Sequence, residues 1–149
     1  MCSSDLIECA VIVFAASIAA ASDYRDAADR ATMTARYATC EAQSLTLLSP
    51  WPEYEYYRGL AVNRAGMATE IANEATQDAD YADNWLQELN YQKMLRASGR
   101  QWFPTKLDDA KAQYDAWRAA SLDASRRSES ASAASRIAAA TCRTFLDSQ

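Results

Sequence analysis

Residues 61–89 read AVNRAGMATEIANEATQDADYADNWLQEL, with an alanine at almost every third or fourth position. This spacing keeps one stripe of a helix against a partner, and the pattern extends over roughly six heptads. Because alanine carries only a methyl group, the partner backbone must come close. A methyl stripe buries little area, so we predict a long central helix packed between other helices. The stripe consists of Tyr54, Arg58, Ala61, Ala65, Ala68, Ala72, Ala75, Ala79, Ala82, Leu86, Leu89 and Lys93.

The same spacing occurs on both sides of this central stretch. Prolines in the segments 49–52 and 102–104 end one helix and suit the first turn of the next. Thr105 and Asp108 have the spacing of a capping box at the start of the last helix. The fold class we predict is an all-α, elongated, antiparallel three-helix bundle (up-down-up) with alanine-rich, coiled-coil-like seams. The predicted helices cover Ile7–Leu48, Glu53–Ser98 and Thr105–Leu146.

Composition argues for one folded domain and against several functions. The chain has 149 residues, half of them hydrophobic, with only 3 glycines and 3 prolines. A net charge of −5 argues against a nucleic-acid partner. The absence of histidine excludes Ser-His-Asp and Cys-His catalysis and histidine metal sites. Glu70 and Glu74 lie one turn apart, but carboxylates alone rarely make a metal or acid–base site. We predict no enzymatic activity, no metal and no cofactor.

The first six residues, 1–6, have the sequence that a widely used sequencing adapter encodes at its end. We interpret them as an artefact, in which case the natural start is missing; a native N-terminus is the alternative. The helical bundle itself is predicted to span residues 22–149.

An uncharged apolar run, CAVIVFAASIAAA, occupies residues 9–21. It is too short to span a bilayer, which needs about 20 residues. Three interpretations of the segment 7–21 compete: a signal-peptide remnant, a truncated membrane anchor, or the buried start of the first helix. Ala19-Ala20-Ala21 has the small residues of a cleavage site, whereas a positively charged region before the run is lacking. The first two interpretations place the protein in the periplasm, outside the cytoplasm or on a membrane, and the third allows a cytoplasmic location.

Large apolar side chains concentrate around the second turn. They form a candidate partner-binding tip, because aromatic and Met side chains are common in binding surfaces. The alternative is that the apolar start of the first helix covers them. The tip residues are Trp85, Met94, Trp102, Phe103 and Trp117.

Cys40 and Cys142 are predicted to lie at the same height on two parallel helices. The prediction assumes an equal rise per residue in all three helices. A disulfide between them is one interpretation, and the even count left after removal of a signal peptide suits an oxidising compartment. Two buried, unpaired thiols are the alternative.

The segment Ala82–Trp117 resembles small exported helical proteins similar to the LprI lysozyme inhibitors. The resemblance rests on three dipeptides and on Trp117. In place of the Arg-Asp-x-x-Cys that follows the tryptophan in that family, the chain has Arg-Ala-Ala-Ser at 118–121. The resemblance implies an extracytoplasmic, inhibitor-type binding protein. The dipeptides are Ala82-Asp83, Leu89-Asn90 and Ala112-Gln113.

These observations together predict a non-enzymatic structural or protein-interaction module of an exported or membrane-associated bacterial-type protein. Its partner would be another protein or a second copy of the chain, with membrane contact through the segment 7–21. The alternative is the lysozyme-inhibitor-like binding protein that the resemblance implies.

Overall fold

The computed structural model describes residues 22–45 and 51–148, which contain three α-helices. They are α1 (Asp23–Gln43), α2 (Pro52–Ala97) and α3 (Pro104–Asp147). Each helix packs against the other two, so the predicted all-α three-helix bundle is confirmed. No residue in the described ranges belongs to a β-strand. The 46 residues of α2 give this helix a length of about 70 Å.

The first helix is shorter than predicted at both ends. Ser22 has an extended backbone (φ −146°, ψ 149°), and its side-chain oxygen accepts a hydrogen bond from the Arg25 N–H. Ser22 is therefore the N-cap that marks the start of α1. At the other end the helix stops at Gln43, with Ser44 as its C-cap, and not at Leu48. The rest of the predicted first helix, residues 7–21 and 46–48, lies outside the described residues.

The second helix ends as the sequence predicts, within one residue. Gly99 has a φ of +70°, a conformation that glycine adopts without strain. The Arg100 N–H donates to the Leu95 carbonyl, and the Gly99 N–H donates to the Arg96 carbonyl. This pair of hydrogen bonds is a Schellman motif, which satisfies carbonyls left over at a helix end. It turns the chain sharply towards α3.

The capping box predicted at Thr105 and Asp108 is wrong. Helix α3 begins at Pro104, and its N-cap, Phe103, makes no side-chain capping hydrogen bond. A proline at the first helical position has the φ angle that a helix needs, and its missing N–H has no helical partner to lose. The helix therefore begins before Thr105 can act as a cap.

The core consists mainly of alanine. Among the residues that the structure describes, the fully buried aromatic side chains are Tyr24 and Tyr54, at 1% and 0% exposure. The predicted stripe of α2 is buried from Ala61 to Ala82, whereas Lys93 at its end is exposed. The buried alanines of α1 and α2 are Ala27, Ala28, Ala31, Ala35, Ala38, Ala42, Ala61, Ala65, Ala68, Ala72, Ala75, Ala79 and Ala82.

Candidate functional site

Three serines of α3, spaced seven residues apart, bind the backbone of α2. Each hydroxyl donates a hydrogen bond to the carbonyl oxygen of an alanine, at 2.7–2.8 Å. The acceptor alanines are also seven residues apart, in the reverse order, so the two helices are antiparallel. A serine side chain reaches only one carbon beyond its backbone, so the helices must approach closely. The pairs are Ser121–Ala75, Ser128–Ala68 and Ser135–Ala61.

Cys142 continues this serine ladder (Ser121, Ser128, Ser135 and Cys142) by one further position. Its Sγ lies 3.4 Å from the Tyr54 carbonyl oxygen, as a weak donor in place of a hydroxyl. The thiol is completely buried, and burial raises its pKa. Cys142 is a free thiol, whereas Cys40 is disulfide-bonded, so both interpretations of the pair, a bond between them and two unpaired thiols, are wrong. The physical reason is direction: the Cys142 side chain points at the α2 backbone.

The first turn of α1 is anchored to α2 by polar contacts that the sequence did not reveal. The Tyr24 hydroxyl donates to Asp83 Oδ1 at 2.5 Å. Arg25 forms ion pairs with Asp83 at 2.5 Å and with Asp80 at 2.8 Å. Burial, reinforced by Asp83, raises the pKa of Tyr24, which keeps the phenol protonated as a donor. These contacts position the start of α1 about two thirds of the way along α2 from Pro52.

Further contacts join both ends of α1 to α3. At the start of α1, Arg118 forms an ion pair with Asp23, and this contact lowers the pKa of the carboxyl group. At the other end, Arg136 lies 3.4 Å from the Glu41 carboxylate and 4.8 Å from the centre of the Tyr37 ring. The order of these contacts shows that α1 runs parallel to α3.

Three of the predicted tip residues lie together at the turn between α2 and α3. Met94 is 50% exposed and Phe103 is 43% exposed. Trp102 is half-buried beneath the Arg96 guanidinium, 5.1 Å from the ring centre. Lys106 Nζ lies 4.9 Å from the centre of the Phe103 ring. The turn therefore presents aromatic rings covered by cations.

The other two predicted tip residues lie elsewhere. Trp117 packs on Tyr81, with ring centres 4.6 Å apart, about 20 Å along α3 from Phe103. Trp85 is half-buried below the turn. Trp117 is therefore separate from the residues at the turn, whereas Trp85 shares a lining neighbour, Lys106, with Phe103. The alternative prediction, that the start of the first helix covers them, concerns residues outside the described part of the chain.

Trp85 lines a depression of about 470 Å³ between α2 and α3. Glu88 and Asp109 contribute carboxylates from opposite sides, and neither forms an ion pair within the described ranges. Gln92, only 3% exposed, donates to Glu88 Oε1 at 3.1 Å and accepts a hydrogen bond from the Phe103 N–H at 3.4 Å. This buried amide holds Glu88 in place and was missed from the sequence. The lining residues are Asn84, Trp85, Glu88, Lys106 and Asp109.

Glu70 and Glu74, the carboxylate pair considered from the sequence, have different surroundings. Glu74 forms an ion pair with Arg127 at 3.1 Å, and Glu70 is exposed. In the described part of the chain, no three Asp, Glu or Cys side chains lie together as metal ligands would. No helix within the same ranges is both long enough and apolar enough to cross a membrane.

No protein-family model matches the chain, and no curated protein or solved structure shows significant similarity to it. Several residues behind the resemblance to the lysozyme inhibitors have packing roles. Ala82 and Leu89 are buried, and Asp83 binds the start of α1. Trp117 packs on Tyr81.

Proposed function

We propose that the protein is a non-enzymatic helical module that acts through contacts with another protein or with a second copy of itself. The distribution of large apolar side chains carries this proposal. The helices pack through alanine and serine, while Tyr91, Met94 and Phe103 are 51%, 50% and 43% exposed. Large apolar side chains are usually buried in preference to small ones, and several exposed near one turn are typical of an interaction surface.

The proposal includes export or membrane association. The apolar run of residues 9–21 ends with three small residues, Ala19-Ala20-Ala21. Helix α1 begins directly after them, with Ser22 as its N-cap. Its first turn is anchored by Asp23, Tyr24 and Arg25 to later parts of the chain. These contacts support a boundary between a targeting segment and the bundle.

Two measurements test this function. Fractionation of cells that express the gene from its natural start should find the protein outside the cytoplasm or with the membrane; recovery only from the cytosol would contradict export. A photo-crosslinking amino acid at Met94 should yield a discrete crosslinked species, either a dimer or a complex with a partner. The same group at Asn73, an exposed polar position of α2, is the control. Equal products from both positions would argue against a specific surface.

A second candidate is the inhibitor-type binding protein, and the depression beside Trp85 favours it. Glu88 and Asp109, which form no ion pair within the described ranges, suit a cationic target such as lysozyme. Purified protein should then slow the lysis of bacterial cell walls by lysozyme. An unchanged lysis rate at an excess of the protein would reject this candidate.

A further inference from the structure

We propose that the depression between α2 and α3 binds a lysine or arginine side chain of a cationic partner protein. The proposal rests on the interaction function above and names the chemistry of the partner. The depression has a volume within the range of ordinary ligand pockets, which runs from about 300 to 1,000 Å³. Its lining combines an indole ring, Trp85, with two carboxylates, Glu88 and Asp109.

Neither carboxylate of the depression forms an ion pair within the described ranges, so both can bind a cation of a partner. Glu88 accepts a hydrogen bond from the side-chain NH2 group of the buried Gln92. The side-chain oxygen of Gln92 in turn accepts a hydrogen bond from the Phe103 N–H. Because Gln92 is fixed in the core, Glu88 is oriented before any partner arrives. Preorganisation of this kind reduces the entropy lost on binding. Asp109 lines the opposite side, on α3.

The lysine that lines the depression makes a different contact. Lys106 offsets part of the negative charge of the lining, but its ammonium group is placed over the Phe103 ring, 4.9 Å from the ring centre. It makes no ion pair with Glu88 or Asp109, among the residues that the structure describes. The indole of Trp85 lines the same depression and adds attraction for a cation, since indole rings attract ammonium and guanidinium groups.

The negative charge of α2 extends the attraction for cations beyond the depression. From residue 65 to residue 92 the chain contains no lysine or arginine. Arg25 and Arg127 from the other helices pair with three of the acidic residues in this stretch. The others contribute to the net charge of −5 and would steer a cationic partner towards this helix. The acidic residues are Glu70, Glu74, Asp78, Asp80, Asp83 and Glu88.

The test uses the full chain and a fluorescein-labelled peptide of alternating lysine and glycine, with a glutamine–glycine peptide as the uncharged control. Fluorescence anisotropy measures binding.

The double variant Glu88→Gln/Asp109→Asn should bind the lysine peptide about fivefold to tenfold more weakly. The matched control Glu70→Gln/Glu129→Gln removes the same charge at exposed positions outside the depression and should change binding less than about twofold. Trp85→Phe should also weaken binding.

The outcomes separate the site from the general charge of the protein. Equal losses in the two double variants would show non-specific attraction and overturn the proposal, as would equal binding of both peptides or no binding at all. Circular dichroism must show unchanged helix content in each variant. If Glu88→Gln/Asp109→Asn loses the peptide but keeps the crosslinked species formed at Met94, the interaction function stands and the depression is not its docking site. Loss of both supports the proposal.

Discussion

Ser121, Ser128 and Ser135 each use one hydroxyl group to join two helices. Within a helix, a carbonyl oxygen already accepts one backbone hydrogen bond and has a second lone pair available. The alanines of α2 allow the hydroxyls to reach those oxygens, at 2.7–2.8 Å. A polar group is thereby buried with a partner, which avoids the cost of an unsatisfied donor. Serine can therefore occupy core positions in this bundle.

Replacing Ser128 by alanine should destabilise the protein by about 1 kcal/mol, because a buried hydrogen bond to the Ala68 carbonyl is lost. Ser130→Ala is the matched control, since Ser130 is exposed on the same helix. That change should be neutral or slightly stabilising, because alanine is the better helix former. Urea unfolding followed by circular dichroism measures both. Equal effects would mean that the hydrogen bond contributes nothing.

At the scale of the element, α2 packs against both α1 and α3. Ala68 and Ala72 share one buried cluster with alanines of α1 and of α3. The small side chain of an alanine at such a position allows the backbones of both neighbouring helices to come close. Its size therefore matters more than its hydrophobicity. Helix α1 contributes alanines along its middle and polar anchors at its ends, such as Asp23 and Glu41.

Ala72→Leu should destabilise the bundle by about 1–3 kcal/mol, because the larger side chain cannot fit without moving α1 or α3. Ala133→Leu places the same side chain at an exposed position of α3 and should be nearly neutral. Thermal unfolding measures the difference. A neutral Ala72→Leu would show that this position does not face a close partner.

At the scale of the whole molecule, two carboxyl groups give stability opposite dependences on pH. The ion pair with Arg118 lowers the pKa of Asp23, so its ionised form stabilises the fold. That stability is present above the ordinary pKa of 3.8 and is lost as the pH falls through the lowered value. Burial, and then Glu74, raise the pKa of Asp78 despite Arg127. Its ionised form therefore costs stability at neutral pH, and protonation removes that cost.

Asp23→Asn should lower the melting temperature at pH 7, and Asp78→Asn should raise it. Both differences from the wild type should shrink as the pH falls, that of Asp78→Asn first because the pKa of Asp78 is raised, and that of Asp23→Asn last because the pKa of Asp23 is lowered. Glu129→Gln, which changes an exposed carboxylate, is the control for lost charge. Melting curves at pH 7, 5, 4 and 3 measure the effect. A stabilising Asp23→Asn would contradict the role of the Arg118 contact.

Periodicity alone was enough to predict the helices, their antiparallel order and the buried alanines, because an unbroken 3-4 spacing keeps one face of a helix against a neighbour. Helix ends were less predictable, since a local cap at Ser22 or a proline at 104 overrides a continuing stripe. Tertiary structure decided the contacts of individual side chains. The direction of the Cys142 thiol, the burial of Gln92 and the separation of Trp117 from the turn all depend on how neighbouring helices are rotated and placed. Spacing along one helix contains no information about that rotation.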